Sequence, residues 1–122
     1  MSYFAHYPSL ELQALVQVHE AKLKKEERMF GTEWNAFAVE LFYSPKLSST
    51  RQQGETLIIF KIDVPPRYQN FKWLIRYCHF CSLLAERIII STNHPWVEAC
   101  LKENNISYDG FFWVPKKSDF KI

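Results

Sequence analysis

From Thr56 to Trp113 the chain reads strand, helix, strand, helix, strand, and Gly110 is the only glycine in that run. This order restricts the topology, because strands joined by helices default to right-handed parallel crossovers. It also commonly seats an anionic cofactor on a helix N-terminus, through a glycine-rich turn. Here the turn before the first of these helices is Pro65-Pro66-Arg67-Tyr68-Gln69-Asn70, crowded with side chains. The run therefore speaks for a fold more than for an activity.

The remaining elements follow from periodicity and punctuation. Ser9 can cap a helix over about Leu10 to Met29, in which Leu12, Leu15, Val16, His19 and Leu23 carry the three-and-four spacing of a buried stripe. Gly31 reads as its left-handed stop. A strand over Asn35 to Tyr43 alternates Phe37, Val39, Leu41 and Tyr43 with Ala36, Ala38, Glu40 and Phe42. The polar stretch from Ser44 to Gly54 is long for an antiparallel hairpin and reads as a mobile or binding loop. Thr56 to Val64 forms the next strand, with Ile58, Phe60, Ile62 and Val64 on one face and Leu57, Ile59, Lys61 and Asp63 on the other.

Pro65-Pro66 ends that strand, and Asn70 caps a helix over Phe71 to Ala85. Ile88-Ile89-Ile90 reads as a short, fully buried parallel strand. Asn93 and Pro95 open a helix over His94 to Glu103, which Asn104-Asn105 close. Ile106 to Val114 is the last strand, with Asp109-Gly110 as a bulge, and Lys116 to Ile122 reads as a flexible tail. The expectation is a single α+β domain over residues 1–122, in the order α-β-β-α-β-α-β. Its mixed sheet has about four strands with helices packed on it, the first two antiparallel.

Composition excludes several classes. A chain of 122 residues with 48% hydrophobic and 23% charged residues is an ordinary globular domain without room for a second core. A net charge of +2, from 15 basic and 13 acidic residues, lacks the concentrated basic face of a nucleic-acid binder. Three cysteines and no leader-like N-terminus point to free thiols in a cytoplasmic setting. Trp73 to Ile90, the longest apolar stretch, is broken by Arg76, His79, Glu86 and Arg87, so no membrane span is expected. The aromatics are the anomaly: ten Phe, six Tyr and four Trp exceed what so small a core holds. Some are expected on a surface that meets a partner.

Catalytic constellations fare poorly. Cys78, Cys81, His94 and Cys100 have zinc-like spacing, yet Cys78 and Cys81 fall within an apolar helix and read as small hydrophobes, so no metal site is assigned. Cys78 and His79 are helix neighbours that point apart, which removes a thiol dyad. Glu40, Lys61 and Asp63 share one sheet region and could do acid–base work, but a cross-strand ion pair is the commoner outcome. At the mouth of the Asn70-capped helix, Arg67, Tyr68, Gln69, Asn70, Lys72 and Trp73 could bind an anion with charge and stacking surface.

The segment from Leu57 through Val64-Pro65-Pro66-Arg67-Tyr68-Gln69, followed by a helix, Arg87 to Thr92, a second helix and Ile106-Ser107-Tyr108-Asp109-Gly110-Phe111, resembles the C-terminal half of GNAT-type N-acetyltransferases. That resemblance implies acetyl-CoA or CoA as ligand and Tyr108 in the region of the family's tyrosine acid. The family's Arg/Gln-x-x-Gly-x-Gly/Ala loop is represented here by Asn70-Phe71-Lys72, without glycine. A degenerate GNAT-like acyltransferase or CoA binder is thus one expectation. The favoured one is a non-catalytic interaction protein, a binder, inhibitor, immunity-type or accessory chain or a homodimer, with no cofactor. Its candidate anchors are Tyr3, Phe4, Tyr7, Trp34, Phe111 and Trp113.

Overall fold

The computed structural model, which describes residues 2–45 and 54–120, with side chains from Leu10 onward except Lys117 and Ser118, has three helices and five strands among those residues. They are α1 (Ser2–Lys24), β1 (Arg28–Trp34), β2 (Phe37–Ser44), β3 (Thr56–Asp63), α2 (Phe71–Ser82), β4 (Arg87–Ser91), α3 (Pro95–Glu103) and β5 (Phe112–Trp113). Single 3-10 turns occupy Pro66–Tyr68 and Lys117–Phe120. The α+β fold carries one mixed sheet in the order β1-β2-β3-β4-β5. No described helix is long and apolar enough to cross a membrane.

The sheet has one more strand than expected because α1 stops early. Lys25 enters the left-handed region at φ 52, and the Lys25 and Glu26 amides close the last turn on Lys22 and Ala21. Gly31, the expected stop, lies inside β1, and Ser9, the expected cap, lies inside α1. A tight reversal at Asn35, also left-handed at φ 53, then folds β1 back on β2. Asn tolerates that conformation better than most residues, which locates the turn.

The β2–β3 pair is antiparallel and β3–β4 parallel, as the connections imply. β5 is antiparallel to β4, against the parallel default. The cause is Asp109-Gly110, which is a reversal and not a bulge. Gly110 sits at φ 48, and Asp109 and Phe112 exchange backbone hydrogen bonds of 2.9 and 2.8 Å across the turn. The chain after α3 therefore turns back before it pairs. Lys117–Phe120 turns against α2, with the Phe120 ring 5.2 Å from that of His79. Residues 46–53, most of the expected polar loop, and residues 121–122 lie outside the described residues.

A register shift between Glu40 and Leu41 decides which side chains of β3 face the helices. Leu41 pairs with Ile59 and Glu40 with Lys61, so Phe60 is the extra residue of a bulge. Strict alternation breaks there. Leu57, Ile59, Ile62 and Val64 are buried, while Ile58 and Phe60 are half-buried and Lys61 and Asp63 exposed. With Phe30, Val39, Leu41, Tyr43, Ile88, Ile90 and Trp113, the buried set makes one face of the sheet.

One core cluster joins that face to Leu10, Ala14, Val18 and Ala21 of α1, Trp73, Leu74 and Tyr77 of α2, and Val97 and Leu101 of α3. The buried stripe of α1 is thus opposite to the expected one. Leu12, Leu15, Val16 and Leu23 stand in solvent, because the small Ala14 and Ala21 let the helix approach the sheet closely. Gln13 fixes the approach: its amide donates to Glu33 O at 2.8 Å and accepts from Glu33 N at 2.9 Å, closing part of the free edge of β1.

Candidate functional site

The mouth of α2 is built by prolines and by side chains that close the turn on itself. Pro65-Pro66 cannot extend β3, and Tyr68 N and Gln69 N donate to Pro65 O and Pro66 O at 2.8 and 3.1 Å. Asn70 accepts from Trp73 N at 2.9 Å, the expected N-cap, and its amide donates to Arg67 O at 3.1 Å. Gln69 donates to Val64 O at 3.0 Å. The Arg67 guanidinium lies 5.2 Å over the Tyr68 ring, and that ring packs 5.0 Å from Phe37.

Trp73 is not a surface for stacking a ligand. It is 2% exposed, stacked on Tyr77 at 5.2 Å and 7°, with Phe37 at 6.0 Å and Trp96 edge-on at 6.4 Å. What remains is a hollow of about 230 Å³ lined by Arg67, Tyr68, Asn70, Lys72, Trp73 and Arg76. Cations rim it and aromatic rings floor it. The Asn70 side chain occupies the position against the helix amides where a glycine-bearing loop would leave open backbone. Tyr108 does not line this hollow. Its hydroxyl donates to Glu98 Oε2 at 3.2 Å, and burial, helped by that carboxylate, raises its pKa.

Among the described residues, no three His, Cys, Asp or Glu side chains are grouped so that they could hold a metal ion. Cys78, Cys81 and Cys100 are free and buried. Burial pushes all three thiols up, Cys81 to about 12, so they stay protonated and unreactive at neutral pH. His94 Nε2 accepts from Ile62 N at 3.3 Å, taking over where β4 no longer pairs with β3. Glu40 and Lys61 are in register on the exposed sheet face, with Asp63 beside them.

One polar cluster was beyond sequence reasoning because it joins three distant segments. Tyr43 donates to Glu55 Oε2 at 2.6 Å, and Lys22 Nζ lies 3.2 Å from Glu55 Oε1. They line a hollow of about 430 Å³ with Lys25, Pro45, Gly54 and Glu86. Burial, with Glu55 and Glu86 nearby, raises the Tyr43 pKa, so the phenol keeps its proton and ties β2 to the residue just before β3. No signal in the sequence pairs these residues.

The candidate anchors divide. The side chains of Tyr3, Phe4 and Tyr7 lie outside the described residues. Trp34 is half-buried against the core, and Trp113, at 1% exposure, belongs to the core itself. Phe111 is 73% exposed at the tip of the Asp109-Gly110 reversal. The larger surface is one the sequence did not single out. The sheet face away from the helices carries Met29, Phe42, Ile58 and Ile89 as successive cross-strand neighbours, with Phe60 and Phe112 close by. Met29 is 68% exposed and Phe112 exposed, the others half-buried.

No protein-family model, no curated protein and no solved structure matches this chain.

Proposed function

We propose that the chain is a non-catalytic interaction protein that binds through apolar and aromatic surface, as a binder, inhibitor or accessory subunit or by self-association. The observation that carries this reading is the open sheet face. Met29, Phe42, Ile58 and Ile89 form a continuous apolar row where a sheet with one solvated face would carry polar residues. The stripe Leu12, Leu15, Val16 and Leu23 on α1 adds a second apolar surface. The buried thiols and the proton-retaining Tyr43 supply no activated nucleophile or base.

The test is the mass at which the tagged chain travels in a native lysate. The wild type should run in an assembly well above its own 14.5 kDa, and a chain carrying Ile58→Lys and Val16→Lys should run alone. A wild type that runs as a free chain overturns the reading.

A second reading, a reduced CoA binder of the GNAT kind in a neutral-pH cell interior, draws on Arg67, Lys72 and Arg76 around the hollow at α2. The Asn70 cap argues against it, since the diphosphate would need that amide.

A further inference from the structure

We propose that the open sheet face binds a second copy of this chain, the two faces related by a twofold axis parallel to the strands between β2 and β3. This rests on the interaction reading above and names its partner. The register makes the face self-complementary. Met29 is beside Phe42, Phe42 beside Ile58 and Ile58 beside Ile89, in one row across four strands. Farther along the same strands, Glu40 is beside Lys61.

An axis along the β2–β3 boundary keeps each row and reverses left and right. It lays Phe42 over Ile58 of the second copy, Met29 over Ile89, and Glu40 over Lys61, each contact made twice. Aligned sheets stack about 10 Å apart and cross at about 30°, a gap that Glu and Lys side chains span from both sides. The bulge is essential to this match. Without Phe60 as the extra residue, Lys61 would point into the core and Glu40 would have no opposite charge above it.

The size of the face sets the expected strength. Four strands and seven residues give about 19 by 23 Å, or about 900 Å² on two copies, before the relief of the side chains is counted. That is near the lower bound of about 1,000–1,200 Å² for specific interfaces, so the dimer should be weak and concentration-dependent.

The experiment is sedimentation or light scattering of the purified chain up to about 200 μM, well into the range of a micromolar dissociation constant. The wild type should approach twice 14.5 kDa. Glu40→Lys and Lys61→Glu should each weaken dimerisation at least about tenfold through like charges in contact. Mixed in equal amounts, the two variants should form a heterodimer, because unlike charges then meet at both contacts. A charge pair within one chain cannot produce that rescue. Met29→Lys, at an exposed position, should also give monomer, and circular dichroism should show all three variants folded.

A wild type that stays at its own mass overturns the second copy as partner, while the lysate measurement still decides the interaction reading. Variants that dimerise like the wild type, or a mixture that stays monomeric, overturn it as well. So does a dimer that survives Glu40→Lys but is lost with Val16→Lys, which would place the contact on α1.

Discussion

Ile58 and Ile59 are chain neighbours on opposite faces of β3, and replacing each with alanine tests the face assignment on which the interaction surface depends. Ile59 is 0% exposed and paired with Leu41 in the covered face. Its truncation removes three buried carbons, about 2.4 kcal/mol at about 0.8 kcal/mol each. The cavity left in the core cluster cannot fully collapse, so the loss should reach about 3–4 kcal/mol. Ile58 is half-buried on the open face, where solvent fills the space, and its truncation should cost about 1 kcal/mol. For a chain of this size, about 3–5 °C of thermal midpoint accompanies each kcal/mol. The Ile59→Ala midpoint should fall by roughly 10–20 °C and the Ile58→Ala midpoint by roughly 3–5 °C. Thermal unfolding followed by tryptophan fluorescence, at a dilution that keeps the chain monomeric, gives both values. Equal losses, or the larger loss at Ile58, would refute the assignment and with it the open apolar row.

Raising pH should destabilise the fold. The unfolded thiols release protons near pH 8.5 while the folded chain holds those of Cys78 and Cys81, so stability is full below about 8.5 and declines through about 12. Well above pH 8.5 two such groups give a slope of about 2.7 kcal/mol per pH unit. Urea midpoints at neutral and alkaline pH under reductant measure it, and Cys78→Ala should remove about half of the slope; a flat profile refutes the thiol burial. Asn70→Ala should cost about 1 kcal/mol by releasing the Trp73 amide, read in the same titration. Coenzyme A at millimolar concentration should leave the thermal midpoint unchanged. A rise equivalent to about 2.7 kcal/mol, the effect of ligand at a hundred times its dissociation constant, would favour the CoA reading instead.

The parts of the fold legible in the sequence were those with local punctuation. Pro65-Pro66 and Asn70 marked the end of β3 and the start of α2, and Pro95 and Asn104 bracketed α3, because caps and breakers act within one turn. The first forty residues misled for two reasons. α1 is apolar on two opposite sides, and the stripe with the larger residues looked like the core, whereas close packing selected Leu10, Ala14, Val18 and Ala21. Glu26, Glu27 and Arg28 continued a helical pattern past the point where Lys25 turns left-handed, which hid β1. The bulge at Phe60 was equally hidden: a shift of one residue leaves no local trace in a run as apolar as Leu57 to Phe60.

At the mouth of α2, sequence reading gathered residues of one turn, five of which line the hollow together with Arg76, and could not assign their occupation. Nothing local tells whether Trp73 points to a ligand or to Tyr77, or whether Asn70 holds a helix amide or leaves it open; the answers depend on Phe37 and Trp96, contributed by other elements. The open face was missed for a related reason. Ile88-Ile89-Ile90 was expected to be fully buried because parallel strands usually have helices on both sides. Yet Ile89 is only half-buried, since all three helices contribute to a single cluster on the other face. Phe42, Ile58, Phe60 and Ile89 thus lie where no described helix covers them. On the reading proposed above, the surplus of aromatics and the apolar row share one explanation: the further layer would come from outside the chain, and the Glu40–Lys61 register is what a second copy of the same face would match.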